Sequence, residues 1–260
     1  MRIARFSLGD DVSFGVVDGE LADPGGMGVT AISGHPFGPF QITGQRHRLD
    51  DVRLLSPVIP SKVIGIGRNY AEHAREMGSD VPDVPVTFLK PSTSVVGPID
   101  AIAYPAISQE VHHEAELAVV IGRLCREVPP QRVPEVVLGY TCANDVTARD
   151  LQRAEGQWAR AKGADTFCPL GPWVDTAIDP SDLEVRCTVN GEVRQLGRTS
   201  QMVRDVAALV AHVSAAMTLL PGDVILTGTP AGVGPLQPGD VVSVDVEGIG
   251  TLTNRVVARD

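Results

Sequence analysis

The chain has 260 residues, 43% of them hydrophobic, and a formal net charge of −10. That length builds one large domain, or a small one and a larger one. An acidic chain without a Lys/Arg cluster argues against a nucleic-acid surface or an anionic membrane as partner, though not against an anionic substrate at a local cationic site.

Residues 1–56 read as short strands broken by turns. Val12-Ser13-Phe14-Gly15-Val16-Val17 alternates weakly, Asp18-Gly19 turns, and Pro24-Gly25-Gly26 is a loop. Leu55-Ser56-Pro57-Val58-Ile59-Pro60 is a connector, because each proline pushes its predecessor toward an extended shape. The expected division is a small N-terminal β-rich domain over 1–56 and a larger domain over 57–260. Strands are predicted at 62–66, 86–90, 111–122 and 136–144, and short helices at 69–77 and 148–161. A hairpin over 185–193 has Asn190-Gly191 at its tip. Apolar residues at helical spacing (Val203, Val206, Leu209, Val210, Val213, Met217) predict a helix over 202–219. The remainder, 223–226 and 241–257, is strand-rich. Helix and strand do not alternate regularly, so the expected class is a β-rich α+β fold rather than a doubly wound sheet.

No segment approaches about 18 uninterrupted apolar residues, so no membrane span is expected. The first residues lack the apolar run of a signal peptide. Cys125, Cys142, Cys168 and Cys187 are far apart and form no C-x-x-C pair, which argues against structural zinc and for reduced core thiols in a cytoplasmic protein.

Several short stretches carry possible chemistry. In His113-Glu114-Ala115-Glu116-Leu117, residues two apart on a strand share a face, so Glu114 and Glu116 aim side by side. Two adjacent anions at the start of a buried strand repel unless a cation lies between them. With Asp145 they make three hard oxygen donors, suited to Mg²⁺, Mn²⁺ or Ca²⁺; a wet strand edge is the plain alternative. His73 and Glu76 share a helix face, an arrangement that orients an imidazole as a general base or is simply a surface contact. Asp145, Arg149 and Gln152 fall at i, i+4 and i+7 and line one face if a helix begins at Asp145. Asp145 as a mere helix cap reads equally well. Lys162 precedes an apolar, proline-containing stretch and could neutralise developing negative charge. Gly228-Thr229-Pro230 lies in a glycine-rich loop able to offer N–H groups and a hydroxyl to an anion. Gly65-Ile66-Gly67 is not a dinucleotide fingerprint: Tyr70 stands where the third glycine belongs.

The order of these pieces is more specific than any one of them. Gly67-Arg68-Asn69-Tyr70-x-x-His73-x-x-Glu76 is followed by Phe88-Leu89-Lys90-Pro91, His113-Glu114-x-Glu116-Leu117, Asn144-Asp145-x-Thr147-Ala148-Arg149-Asp150-x-Gln152, Lys162, and Thr227-Gly228-Thr229-Pro230-x-Gly232-Val233-Gly234. The series resembles the fumarylacetoacetate hydrolase family from about residue 61 to the C-terminus. The resemblance implies a catalytic domain of rolled, mixed sheets, usually a homodimer, with Mg²⁺ (or Mn²⁺) held between the sheets. It makes Glu114, Glu116 and Asp145 the metal ligands and His73 with Glu76 the proton-moving or water-activating dyad. Arg149, Gln152, Lys162 and Thr229 become contacts for the 2-oxo-carboxylate end of a small-molecule substrate, with Lys162 also catalytic. Full-length fumarylacetoacetases bring a further aspartate upstream of the histidine, and Val63–Gly67 holds no carboxylate. That points to the branch named for 2-hydroxyhepta-2,4-diene-1,7-dioate isomerase, which also includes acylpyruvate hydrolases and oxaloacetate decarboxylases. A catalytically silent binding protein on this fold is the alternative from a different class.

Overall fold

A computed structural model of the chain describes residues 1–258. The N-terminal stretch forms β1 (Arg2–Leu8), β2 (Asp11–Asp18), β3 (Gly28–Gly34), β4 (Phe40–Arg48) and β5 (Arg53–Leu55). After the connector come β6 (Val63–Gly67), helix α1 (Ala71–Glu76), β7 (Val86–Lys90), β8 (Val95–Val96) and β9 (Ala101–Tyr104). Next are β10 (Val111–His113), β11 (Ala115–Ile121), β12 (Val137–Asn144), β13 (Thr147–Ala148), and helices α2 (Arg149–Ala154) and α3 (Ala159–Lys162). The chain continues through β14 (Cys168–Asp175), β15 (Glu184–Val189), β16 (Glu192–Arg198) and helix α4 (Val206–Ala216). It closes with β17 (Val224–Leu226), β18 (Gly234–Pro235), β19 (Val241–Val246) and β20 (Gly250–Ala258). Strand dominates helix, and the expected β-rich α+β class is what the structure has.

One large mixed sheet runs β4-β3-β2-β1-β14-β12-β11-β17-β6-β7, with β5 added on β1 and β8 beside β14. A five-stranded sheet runs β16-β15-β19-β20-β9, and β13-β10-β18 form a small third sheet. β11 is the centre of the architecture. Every residue of Ala115–Ile121 is buried, and its strand period divides the core in two. Leu117, Val119 and Ile121 face one cluster with Val185, Val244 and Leu252 of the five-stranded sheet. Ala118 and Val120 face a second with Val63, Ala143 and Leu226. The N-terminal strands share this framework: β1 pairs antiparallel with β14, and Phe6 belongs to the same cluster as Leu117.

Several expected elements take different bounds. The strand expected over 111–122 is interrupted at Glu114, because β10 turns away to pair with β13 and β18 while β11 stays between β12 and β17. The helix expected over 148–161 is two short helices separated by residues 155–158, which include Gly156. Asp145 lies before β13, outside α2, and Ala148 occupies the cap position, so the expected helical stripe through Asp145 does not form. The helix expected over 202–219 shortens to Val206–Ala216, because the Asp205 carboxylate accepts the Ala208 N–H at 2.8 Å and starts the helix there. The hairpin has its turn at Asn190 (φ 52°) and Gly191 (φ 82°) as expected. No helix among the described residues is long and apolar enough to cross a membrane, and all four cysteines are free and buried.

Because Phe6 and Leu117 share one core, replacing Phe6 by Ala should destabilise the whole chain by about 3–5 kcal/mol. Urea unfolding followed by far-UV CD and tryptophan fluorescence should show one coincident transition at lower urea. Two separate transitions, with only the first shifted, would contradict a shared core.

Candidate active site

The break between β10 and β11 sets the site. The Glu114 N–H donates to Asn144 Oδ1 at 3.0 Å, and the Asp145 N–H donates to the Glu114 carbonyl at 2.9 Å. These two bonds bring the ends of β11 and β12 together with their acidic residues. The carboxylate oxygens of Glu114, Glu116 and Asp145 gather within 4.8 Å of one another, all three residues buried.

Three cations surround them. Lys162 Nζ donates to Glu114 Oε2 at 2.8 Å and Asp145 Oδ2 at 2.7 Å. Lys90 Nζ donates to Asp145 Oδ1 at 2.5 Å and to the Val146 carbonyl at 3.2 Å. Arg149 Nη2 lies 2.5 Å from Glu114 Oε1, a close ionic contact rather than an aligned hydrogen bond. Burial alone would push every carboxyl here up. At Glu114 that push is outweighed by Lys162 and Arg149, which hold it well below the usual carboxylate range. Burial, with Asp145 and Glu114 adding repulsion, raises Glu116 well above that range, only partly offset by Lys162 and the Gly228 N–H. For Lys162 burial works downward, but Asp145 and Glu114 outweigh it and raise its pKa.

This donor set fits a divalent ion. The oxygens are hard, closely gathered and anionic, without Cys or His among them. Glu116 repels its two neighbours in the way an added cation would relieve. With all six side chains charged, the three cations offset the three anions, so a divalent ion would leave the cluster two charges positive, enough for one carboxylate and an oxyanion beside it.

A cavity of about 240 Å³ opens onto the cluster, and its wall includes His73, Arg149, Gln152, Lys162 and Thr229 along with the three carboxylates. His73 Nδ1 lies 3.1 Å from Glu76 Oε2. The Glu76 carboxylate also accepts the Gly232 N–H at 3.0 Å, so it accepts from the imidazole as well. The proton therefore sits on Nδ1, leaving Nε2 as the basic ring nitrogen. Glu76 is not in the cavity wall; it contacts His73 Nδ1 from outside it.

The remaining expected residues divide. Gln152 accepts from Arg149 Nη1 at 2.8 Å, which leaves its amide N–H groups to offer. Lys162 spends two of its three N–H bonds on carboxylates and keeps one. Thr229 lines the cavity, but its hydroxyl proton goes to the Ala115 carbonyl at 2.8 Å, so it has no donor for a substrate. The glycine-rich loop does present an N–H to an anion, and that anion is Glu116: Gly228 donates to Oε2 at 2.6 Å. Gly228 (φ +98°) permits this, since an added Cβ would meet the Asn69 side chain at 2.8 Å.

Five residues here were given no role from the sequence. Lys90, at the end of β7, is fully buried, and its motif Phe88-Leu89-Lys90-Pro91 was the signal that could have found it. Gln195, from the five-stranded sheet, accepts the Ala115 N–H (3.0 Å) and donates to Thr229 Oγ1 (2.7 Å), pinning the ligand strand across two sheets. Phe88 and Trp158 pack edge to face, with Lys162 Nζ 4.9 Å from the Phe88 ring centre. Gly65 exists for that ring: a Cβ there would lie 2.1 Å from Phe88.

Residues 62–257 match the family model described as fumarylacetoacetate (FAA) hydrolase C-terminal. The chain belongs to the fumarylacetoacetate hydrolase family. Residues 1–57 match a second model, described as Rv2993c-like, N-terminal. Protein Rv2993c of Mycobacterium tuberculosis is 55% identical over 100% of this chain and 99% of its own. The crystal structure of a 2-hydroxyhepta-2,4-diene-1,7-dioate isomerase from Mycobacterium marinum superposes with a TM-score of 0.93 at 53% identity, covering 100% and 99% of the two chains. A mitochondrial oxaloacetate tautomerase of Rattus norvegicus is 46% identical over 79% of this chain and 70% of its own. A maleylpyruvate hydrolase from Sphingobium sp. SYK-6, solved with manganese(II) and pyruvate, is 33% identical with a TM-score of 0.81 over 100% of both chains. Members of this family named for their activity are enzymes, with isomerases, hydrolases and tautomerases among them.

Glu116→Gln keeps the side chain's shape and its acceptor for Gly228 but removes a charge. With Mn²⁺ at about 100 times its Kd the native chain should gain about 2.7 kcal/mol of stability. In the variant that gain should shrink by more than half, while the metal-free Tm stays level or rises because repulsion is relieved. An unchanged Mn²⁺-induced Tm shift would remove Glu116 from the ligand set.

Proposed function

We propose that this protein is a divalent-metal-dependent enzyme that moves a proton on small 2-oxo or 2-hydroxy-dienoic carboxylic acids, as an isomerase of the 2-hydroxyhepta-2,4-diene-1,7-dioate type. The observation that carries the reading is one cavity walled at once by a basic His73, the ammonium of Lys162 and three gathered carboxylates. Glu114, Glu116 and Asp145 would hold the ion, Mg²⁺ or Mn²⁺. Once bound it would supply a Lewis acid that receives a 2-oxo-carboxylate and draws charge onto its carbonyl oxygen.

The chain's own groups do the rest. Arg149 and the Gln152 amide orient the carboxylate end. His73 Nε2 takes or returns the proton at the carbon beside the carbonyl, and Glu76 keeps the ring in the tautomer that makes this possible. The free N–H of Lys162 meets the negative charge that develops on the oxygen; burial makes that contact strong. The names of the isomerase and tautomerase relatives support proton transfer as the net reaction.

A second reading rests on the same imidazole. If His73 activates a water, the outcome is C–C hydrolysis of an acylpyruvate, which the name of the Sphingobium relative supports. Oxaloacetate decarboxylation needs the same charge stabilisation and no water. One panel separates these: oxaloacetate, acetylpyruvate, fumarylpyruvate and 2-hydroxyhepta-2,4-dienedioate, each with Mg²⁺ and with EDTA. Isomerisation of the last should be fastest and should stop in EDTA. Full activity in EDTA on any of them would refute metal dependence.

His73→Ala should cut turnover by about 10² or more, the usual scale for a general base, while oxalate still binds. Turnover at the native rate would leave His73 a structural residue. Lys162→Met retains much of the side chain's bulk and should lower turnover far more than Tm; Arg should not rescue it, since a planar fork does not replace a compact ammonium.

A further inference from the structure

Four cationic side chains line the cavity: Arg68, Arg149, Arg153 and Lys162. Three are engaged. Arg149 contacts Glu114 and Gln152, Lys162 contacts Glu114 and Asp145, and Arg153 pairs with Glu110. Arg68 is different: among the described residues its guanidinium has neither a hydrogen bond nor an ion pair.

Its backbone is unusual too. Arg68 sits at φ 60°, in the left-handed region that a side chain with a Cβ enters at a cost. The next residue imposes this. Asn69 Nδ2 donates to the Arg204 and Thr227 carbonyls at 3.0 and 2.8 Å, and its Oδ1 accepts the Arg204 N–H at 3.0 Å. The Asn69 carbonyl accepts the Val203 N–H at 2.8 Å. Glycine would fit this turn without strain. An arginine stands there instead, half-buried in the cavity wall beside Met77, Ser79 and Trp158.

Charge balance says what it faces. With a divalent ion the inner cluster carries two positive charges. One substrate carboxylate and the negative charge developing on the adjacent carbonyl oxygen meet them in full. A second carboxylate on the same substrate finds no unspent cation in the cluster, and Arg68 is the unspent cation in the wall.

We propose that Arg68 anchors the far carboxylate of a dicarboxylic 2-oxo acid and so sets the preference for dianionic over monoanionic substrates; this rests on the 2-oxo-acid reading of the site. Asn69 holds the left-handed turn, so the backbone that carries Arg68 is already set and only side-chain rotamer freedom is lost on binding.

Two unreactive mimics test this by calorimetry on the Mn²⁺-loaded protein. Oxamate offers a 2-oxo-carboxylate end alone; oxalylglycine adds a second carboxylate. The native chain should bind oxalylglycine more tightly. Arg68→Met should weaken oxalylglycine by about tenfold to a hundredfold, the scale of one lost charge-assisted contact, and leave oxamate within about twofold. Arg68→Lys should restore part of the loss. Arg68→Asn, which tolerates a positive φ, should behave like Arg68→Met and so separate charge from backbone strain. Equal weakening of both mimics, or none for oxalylglycine, would overturn the assignment while leaving the 2-oxo-acid reading intact. Failure of both to bind the native chain would overturn that reading and this one with it.

Discussion

Six buried ionisable side chains within one small volume are the constraint on which the site depends. Glu114, Glu116 and Asp145 are tolerable in the interior because Lys90, Lys162 and Arg149 stand against them. Removing a partner of Glu114 or Asp145 leaves a buried charge uncompensated, which is costly in a medium of low dielectric; Glu116, repelled by its neighbours, is the exception. The cluster is therefore both a structural necessity and a chemical asset. The same low dielectric that makes the charges expensive makes their action on a ligand strong.

The fold supplies the geometry by bringing two sheets and several loops to the end of β11. Glu116 lies in β11, Glu114 just before it and Asp145 just after its neighbour β12; Lys90 comes from the edge strand β7, Lys162 from α3, and the Gly228 N–H from the loop after β17. Gln195 reaches in from the other sheet to hold Ala115 between the two glutamates. The carboxylate cluster thus rests on pairing across elements far apart in sequence: Glu114, Glu116 and Asp145 are each held by partners distant in the chain.

That explains what was legible in the sequence. Glu114, Glu116 and Asp145 stood out because charge beside an apolar run is a local signal, and the order of the motifs fixed the family. Strand content, the Asn190-Gly191 hairpin and the apolar face of α4 were likewise local. The break at Glu114 was not, because it arises from β10 joining a different sheet. Nor was the commitment of the Thr229 hydroxyl to Ala115, or the packing of Phe88 over Gly65; one joins residues 114 apart and the other depends on the register of β6 against β7. Lys90 and Gln195 look ordinary in sequence, since burial and partners give them their roles. The helix expected to carry Asp145, Arg149 and Gln152 together rested on one period applied across a turn, and the turn ends it.

The break at Glu114 has a further consequence, for time rather than affinity. Two of the three acidic groups flank Ala115, whose neighbours on either side are tied to different sheets, β10 to the small one and β11 to the large one. Fraying at any single edge leaves this segment anchored from the other side. An ion seated there escapes only through the cavity mouth or by opening of the large sheet's central strands, the slowest opening a protein of this kind undergoes. Exchange should then be governed by the cavity, whose wall includes His73 and Arg68, so that an occupied cavity slows loss of the ion and the order of departure becomes ligand first, ion second.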